Sequence, residues 1–147
     1  MFKRIEKVLL LHEVELFSLA LTEHLGELAA VCQVREVRTG KILFEPGAPC
    51  KTLRILVEGR VRLGQGEKAR EASGVSSLDE WAFLAEAAHS CRAEALQDSV
   101  LLEISFEDLS DILTAEPELC LALLRYTARQ GYGSRLKAFE ESEKGEG

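Results

Sequence analysis

TLRILVEGRVRL, residues 52–63, is two short runs of aliphatic and alternating charged residues divided by Gly59. Such runs on either side of one glycine predict two strands, because glycine takes the positive φ that a sharp change of direction needs. Working outward, VREVRTGKILF (34–44) has a related form. Val34 and Val37 flank a charged pair there, and Gly40 marks a turn between two short strands. EPGAPC (45–50) is a turn cluster with two prolines and a glycine, and GQGEK (64–68) reads as a loop or hairpin tip. SVLLEIS (99–105) is one more apolar-rich strand.

At both ends the apolar period becomes helical. Phe2, Ile5, Val8 and Leu9 suggest a first short helix. A second starts at about Thr22, a plausible N-cap, with Leu25, Leu28, Ala29 and Cys32 on one face. After the last strand, Ser105 and Asp108 imitate a capping box ahead of Leu109, Ile112 and Leu113. Pro117 suits a first helical turn before Leu119, Leu123 and Leu124. Gly131 and Gly133 each cost a helix interior roughly 1 kcal/mol relative to alanine. They predict a break, with SRLKAF as a short last helix and EESEKGEG as a fraying tail. The expected order is helices, about eight short strands, then helices: a mainly β domain with flanking helices, built as a barrel or jelly roll.

Composition narrows the function classes. At 147 residues the chain fits one domain, and its 46% hydrophobic and 29% charged residues suit a soluble globule. A net charge of −7 opposes nucleic-acid binding, which needs clustered lysine and arginine. The apolar run near the N-terminus is broken by Glu13 and Glu15, so neither a signal peptide nor membrane insertion is expected. Cys32, Cys50, Cys91 and Cys120 form no CxxC pair, which points away from zinc and toward buried, reduced thiols in a cytoplasmic protein. His12, His24 and His89 are scattered, so no metal site is expected. No nucleophile–base grouping can be named, and no catalytic residue is expected.

The order of these segments resembles the cyclic-nucleotide-binding domain family, the sensor module of catabolite-activator-type regulators, kinase regulatory subunits and gated channels. LHEVELFSLALTEHLGELA is similar to the family's entry segment, VREVRTGKILFEPGAP to its first hairpin, and LRILVEGRVRL to the strand pair around Gly59. ALQDSVLLEISFEDLSDIL resembles its last strand and the helix that follows. The resemblance spans about Leu11 to Gln130. It implies a double-stranded β-helix (jelly-roll) barrel with short N-terminal and C-terminal helices over residues 1–130, and a short helix and charged tail over 131–147. Family members often carry a helix-turn-helix after the sensor, but the residues after Gln130 are too few and too acidic for one.

The family's ligand cassette reads Phe-Gly-Glu, a short helix, then Arg-x-Ala at a strand start. Glycine admits the cyclic phosphate close to the backbone, the glutamate accepts from the ribose hydroxyl, and the arginine forks onto phosphate oxygens. Here SSLDEWAFLAEAAHSCRAEAL (76–96) places Leu78, Asp79 and Glu80 at Phe-Gly-Glu, and His89 with Ser90 at the arginine's place. Both phosphate contacts are changed: Asp79 adds negative charge, and histidine, with a reference pKa of about 6.5, is mostly neutral at pH 7. Arg92 follows three residues later, and odd spacing along a strand sends it to the face opposite His89.

Each residue also has a purely structural reading. Glu80 with Ser77 forms a capping box for the WAFLAEA helix. His89 is open between a helix-end histidine and a vestigial ligand contact. Arg92 reads as a surface strand residue, Trp81 as helix-to-barrel packing or a plug in an unused pocket, and Cys91 as a small buried apolar residue. The resulting expectation is a regulatory or interaction module that carries no cofactor and does not bind cAMP or cGMP with physiological affinity. Its partner would be another protein, another domain of a longer chain, or a second copy through the C-terminal helices. The alternative is a sensor that holds a cyclic nucleotide or other small molecule through Glu80, His89 and Arg92.

Overall fold

A computed structural model describes residues 2–146. Two helices open the chain: α1 (Arg4–His12) and, after a 3-10 turn at Glu15–Phe17, α2 (Thr22–Val31). Eight strands follow as β1 (Gln33–Val37), β2 (Ile42–Phe44), β3 (Thr52–Glu58), β4 (Arg60–Leu63), β5 (Arg70–Ser73), β6 (Ser76–Leu78), β7 (Ala93–Ala95) and β8 (Ser99–Ser105). A short helix, α3 (Glu80–Leu84), lies between β6 and β7, and α4 (Phe106–Ala115) and α5 (Pro117–Glu146) close the chain. The strands make two antiparallel four-stranded sheets in the orders β1-β8-β3-β6 and β2-β7-β4-β5. This is the expected jelly roll with flanking helices.

Strand alternation divides the apolar residues between two cores. Val37, Leu56, Leu78 and Leu101 of the first sheet meet Phe44, Val61, Leu63, Ala93 and Ala95 of the second. The other face of the first sheet, with Leu53, Ile55, Leu102 and Ile104, packs against Leu11, Phe17, Leu25, Leu28, Leu109 and Leu119 of the helical layer. Burying one such leucine or phenylalanine is worth about 1.5–3 kcal/mol, so the helix-facing side of the β3–β8 pair is committed to apolar contacts over most of its length, and the inter-sheet side at Leu56 and Leu101. Burial also pushes the Cys32 thiol up to about 12. All four cysteines are free thiols, Cys91 half-buried and Cys120 exposed.

Several local expectations need correction. In α1 it is Val8 and Leu11 that are buried, while Ile5 and Leu9 are exposed. Thr22 does not cap α2; Leu21 holds that place and Thr22 Oγ1 instead lies 3.0 Å from His12 Nε2. The cap at α4 does form, with Asp108 N–H donating to Ser105 Oγ at 3.1 Å. The largest change is α5, which continues unbroken through Gly131 and Gly133, so no short separate helix or tail begins at residue 131. Nothing approaches within 4 Å of where either glycine's Cβ would be, so neither is required by packing. Their cost is small beside a helix whose first turns are anchored by Leu119, Ala122, Leu123 and Tyr126.

Candidate functional site

The cassette between β6 and β7 begins differently from its sequence reading. Ser77 does not start a helix; it is in β6, paired with Ile55 of β3, so the Ser77–Glu80 capping box is not formed. Leu78 is buried in the core between the sheets. Asp79 then turns the chain at φ 60° and ψ 44°. This left-handed conformation suits glycine, and aspartate enters it more readily than most residues. The backbone thus keeps a glycine-like corner, with a carboxylate attached.

That carboxylate is committed. Asp79 Oδ2 lies 2.8 Å from His89 Nδ1. An ionised carboxylate only accepts, so Nδ1 carries the proton and donates. His89 is 3% exposed, and its ring stacks on Phe44 with centroids 3.7 Å apart and planes within 7°. Its backbone is fixed as well: His89 N–H donates to Ala48 O at 2.9 Å, and His89 O accepts from Gly47 N–H at 2.8 Å. The imidazole is therefore tied to the corner, and the His89 backbone to the Glu45–Pro49 turn. It is not a helix-end histidine, because α3 stops at Leu84.

Beyond Phe44 the space between the sheets becomes charged. The Arg54 guanidinium carbon is 5.9 Å from the Phe44 ring centroid. Its Nε is 3.1 Å from Glu103 Oε2 without the alignment of a hydrogen bond, so this contact is an ion pair. Arg35 Nη1 reaches the same Glu103 oxygen at 3.4 Å. Arg54 alternates with Leu56, Glu103 with Leu101 and Arg35 with Val37, so all three point to the inter-sheet face. Phe44, Arg54 and Glu103 were missed from sequence. Their signal was there: a charged residue at the parity of buried Leu56 or Leu101 cannot be facing solvent in the ordinary way.

The remaining cassette residues are dispersed. Arg92 lies one residue before β7, whose Ala93 and Ala95 face inward, and it forks outward onto both carboxylate oxygens of Glu45, with Nη2 to Oε2 at 2.9 Å. Ser90 is exposed on the loop, and Cys91 is half-buried. Glu80 lies toward α5, where its charge joins burial and Glu15 in raising the Tyr126 phenol. Trp81 neither packs into the barrel nor plugs it. It is half exposed and stacks on Tyr126, with centroids 6.4 Å apart. Asp79 and His89 are thus brought together, while Glu80, Ser90 and Arg92 are each elsewhere.

The model of the cyclic nucleotide-binding domain family matches residues 34–116. The chain belongs to this family. It is a regulatory-type domain of the cyclic-nucleotide-binding fold, and no helix among the described residues is long and apolar enough to cross a membrane. Among curated proteins it is 33% identical over 115 residues to uncharacterised NTE family proteins of Mycobacterium tuberculosis and Mycobacterium bovis, covering 77% of this chain and 20% of those proteins. The matched region is therefore one domain within a longer relative. Among solved structures, the N-terminal domain of a transcriptional regulator from Streptomyces coelicolor is 27% identical, with a TM-score of 0.73 over 85% of this chain and 94% of that one. The catabolite activator protein of Thermus thermophilus shares the fold at 23% identity and a TM-score of 0.68, over 87% of this chain and 63% of that one. The regulatory domain of Toxoplasma gondii PKA, solved with cAMP, shares it at 16% and 0.69, over 74% and 44%.

Proposed function

We propose that this domain is a regulatory and interaction module whose phosphate site is filled by its own side chains, and that it does not bind cAMP or cGMP with physiological affinity. The observation that carries this reading is the Asp79–His89 pair, 2.8 Å long, whose imidazole is buried and stacked on Phe44. A cyclic phosphate at this corner would meet the carboxylate of Asp79. Arg92 does not supply the family's arginine fork, being turned outward onto Glu45, and Arg54, the arginine nearest Phe44, is engaged by Glu103. Losing a charge-assisted bond of that kind forfeits roughly 1.5–3 kcal/mol, ten- to a hundredfold or more in affinity. The alternative, a sensor using Glu80, His89 and Arg92 together, would need Arg92 to leave Glu45. No step of this reading requires catalysis.

Isothermal titration with cAMP and with cGMP, at pH 7.5 and pH 6, tests it. The expected outcome is no heat and no change in melting temperature at millimolar nucleotide. Micromolar binding that strengthens at pH 6 would mean that His89 exchanges Asp79 for the phosphate, and the proposal would be wrong.

The partner we propose is a second copy of the chain, met along α5. Leu121, Leu124, Tyr132, Leu136 and Phe139 are exposed and recur at helical spacing. They lie on the side of the helix away from Leu119, Ala122, Leu123 and Tyr126, which pack on the body. A second copy packed stripe against stripe covers these exposed residues.

A further inference from the structure

The α2 start and the α4–α5 junction enclose a cluster that the cassette does not use. Its donors are Glu23, His24 and Glu118, whose ligand atoms all lie within 4.8 Å of one another. Glu116 adds a third carboxylate, 3.4 Å from His24 Nε2, and Glu118 Oε2 is 3.9 Å from the same nitrogen. Acidic residues in the first turn of a helix are ordinary, since they complement its dipole. His24 sets this cluster apart. It is 5% exposed, forms no hydrogen bond through Nδ1, and aims Nε2 at the carboxylates. Among the described residues, Glu23, Glu116 and Glu118 have no lysine or arginine ion-pair partner, although Glu27 on the rim reaches Arg4. Three negative groups therefore converge on one fixed imidazole without a matching cation.

We infer that this cluster is a divalent-metal site of the zinc class, held by His24, Glu23 and Glu118 with Glu116 as the fourth donor. One imidazole with carboxylate oxygens is a borderline donor set, which favours Zn2+ over the all-oxygen, water-retaining coordination of Mg2+. Donors about 2.1 Å from a tetrahedral centre stand about 3.4 Å apart, which is the separation between His24 Nε2 and Glu116 Oε2. The imidazole is held by packing, while Glu118 is mostly exposed and free to close the remaining distance. A metal here links the N-terminal helical layer to the first turn of α5 and so fixes the direction in which that helix leaves the body.

The test uses the full chain, stripped with a chelator, with Cys120→Ser to remove the exposed thiol close to Glu118. Zinc chloride and magnesium chloride are titrated calorimetrically and in thermal melts, alongside the double variant Glu23→Gln, Glu118→Gln. Both glutamates are exposed, so this variant should melt like its parent in chelator. The parent is expected to bind one Zn2+ per chain and to melt at least a few degrees higher with Zn2+ at about a hundredfold its Kd, with no such shift from equal Mg2+. The double variant should bind at least about tenfold more weakly. No zinc-dependent shift in the parent, or an equal shift in parent and variant, would overturn the proposal.

Discussion

At Gly59 the chain passes from one sheet to the other with φ 108°, and a Cβ there would stand 2.1 Å from Ser99 Oγ and 2.8 Å from Ser99 Cα. Backbone atoms cannot step aside as a side-chain tip can. Gly59→Ala is therefore expected to cost about 3 kcal/mol, from overpacking added to left-handed strain. Gly40, with φ 89° and open space around it, supplies the control. Gly40→Ala should lose only the strain, about 1–2 kcal/mol. Urea unfolding of the two variants separates the terms, and equal losses would show that the contact with Ser99 is relieved. Glycine was readable in both places as a turn. Which glycine was also a point of contact depended on Ser99, which lies far away in sequence. Asp79 and His89 behave alike in this respect. Each residue was legible as a type, but their mutual bond arises from a loop that folds back over Phe44.

Among the elements, α5 shows how length and packing override local propensity. Two glycines predicted a break, yet each costs only about 1 kcal/mol, and the helix is seeded by four residues buried against the body. Beyond Tyr126 every residue with a described side chain is exposed except the partly covered Thr127, so the apolar stripe has nothing of its own chain to cover it. Leu124→Glu with Phe139→Glu should leave the melting transition of the jelly roll unchanged and shift sedimentation equilibrium toward the monomer. If the unmodified chain is already monomeric at high micromolar concentration, the stripe does not serve a second copy. At this scale the strands were more legible than the helices. SVLLEIS is β8 from first residue to last, and Gly59 separates β3 from β4 as expected. β6 was misread because Ser77 and Glu80 have the spacing of a capping box. Pairing with β3 claimed Ser77 instead, and the helix starts only after the corner at Asp79.

For the molecule as a whole, protection should follow the two cores. β3 and β8 lie inside the first sheet, each paired on both edges and covered on one face by the helical layer, so their amides open only when the domain unfolds. In dilute solution, hydrogen exchange is expected to be slowest there and fastest along α5 past Tyr126, by several orders of magnitude. Uniform protection along α5 would mean that the helix is covered by something besides the body. The sequence alone determined the helix–strand–helix order and the jelly roll, since periodicity and turn residues are local properties. Tertiary structure decided which charged side chains meet: Asp79 with His89, Arg92 with Glu45, Arg54 with Glu103, and His24 with Glu116 and Glu118. Each of these contacts joins segments that only sheet pairing and helix packing bring within a few ångströms, and charge interacts across that distance whatever the separation along the chain.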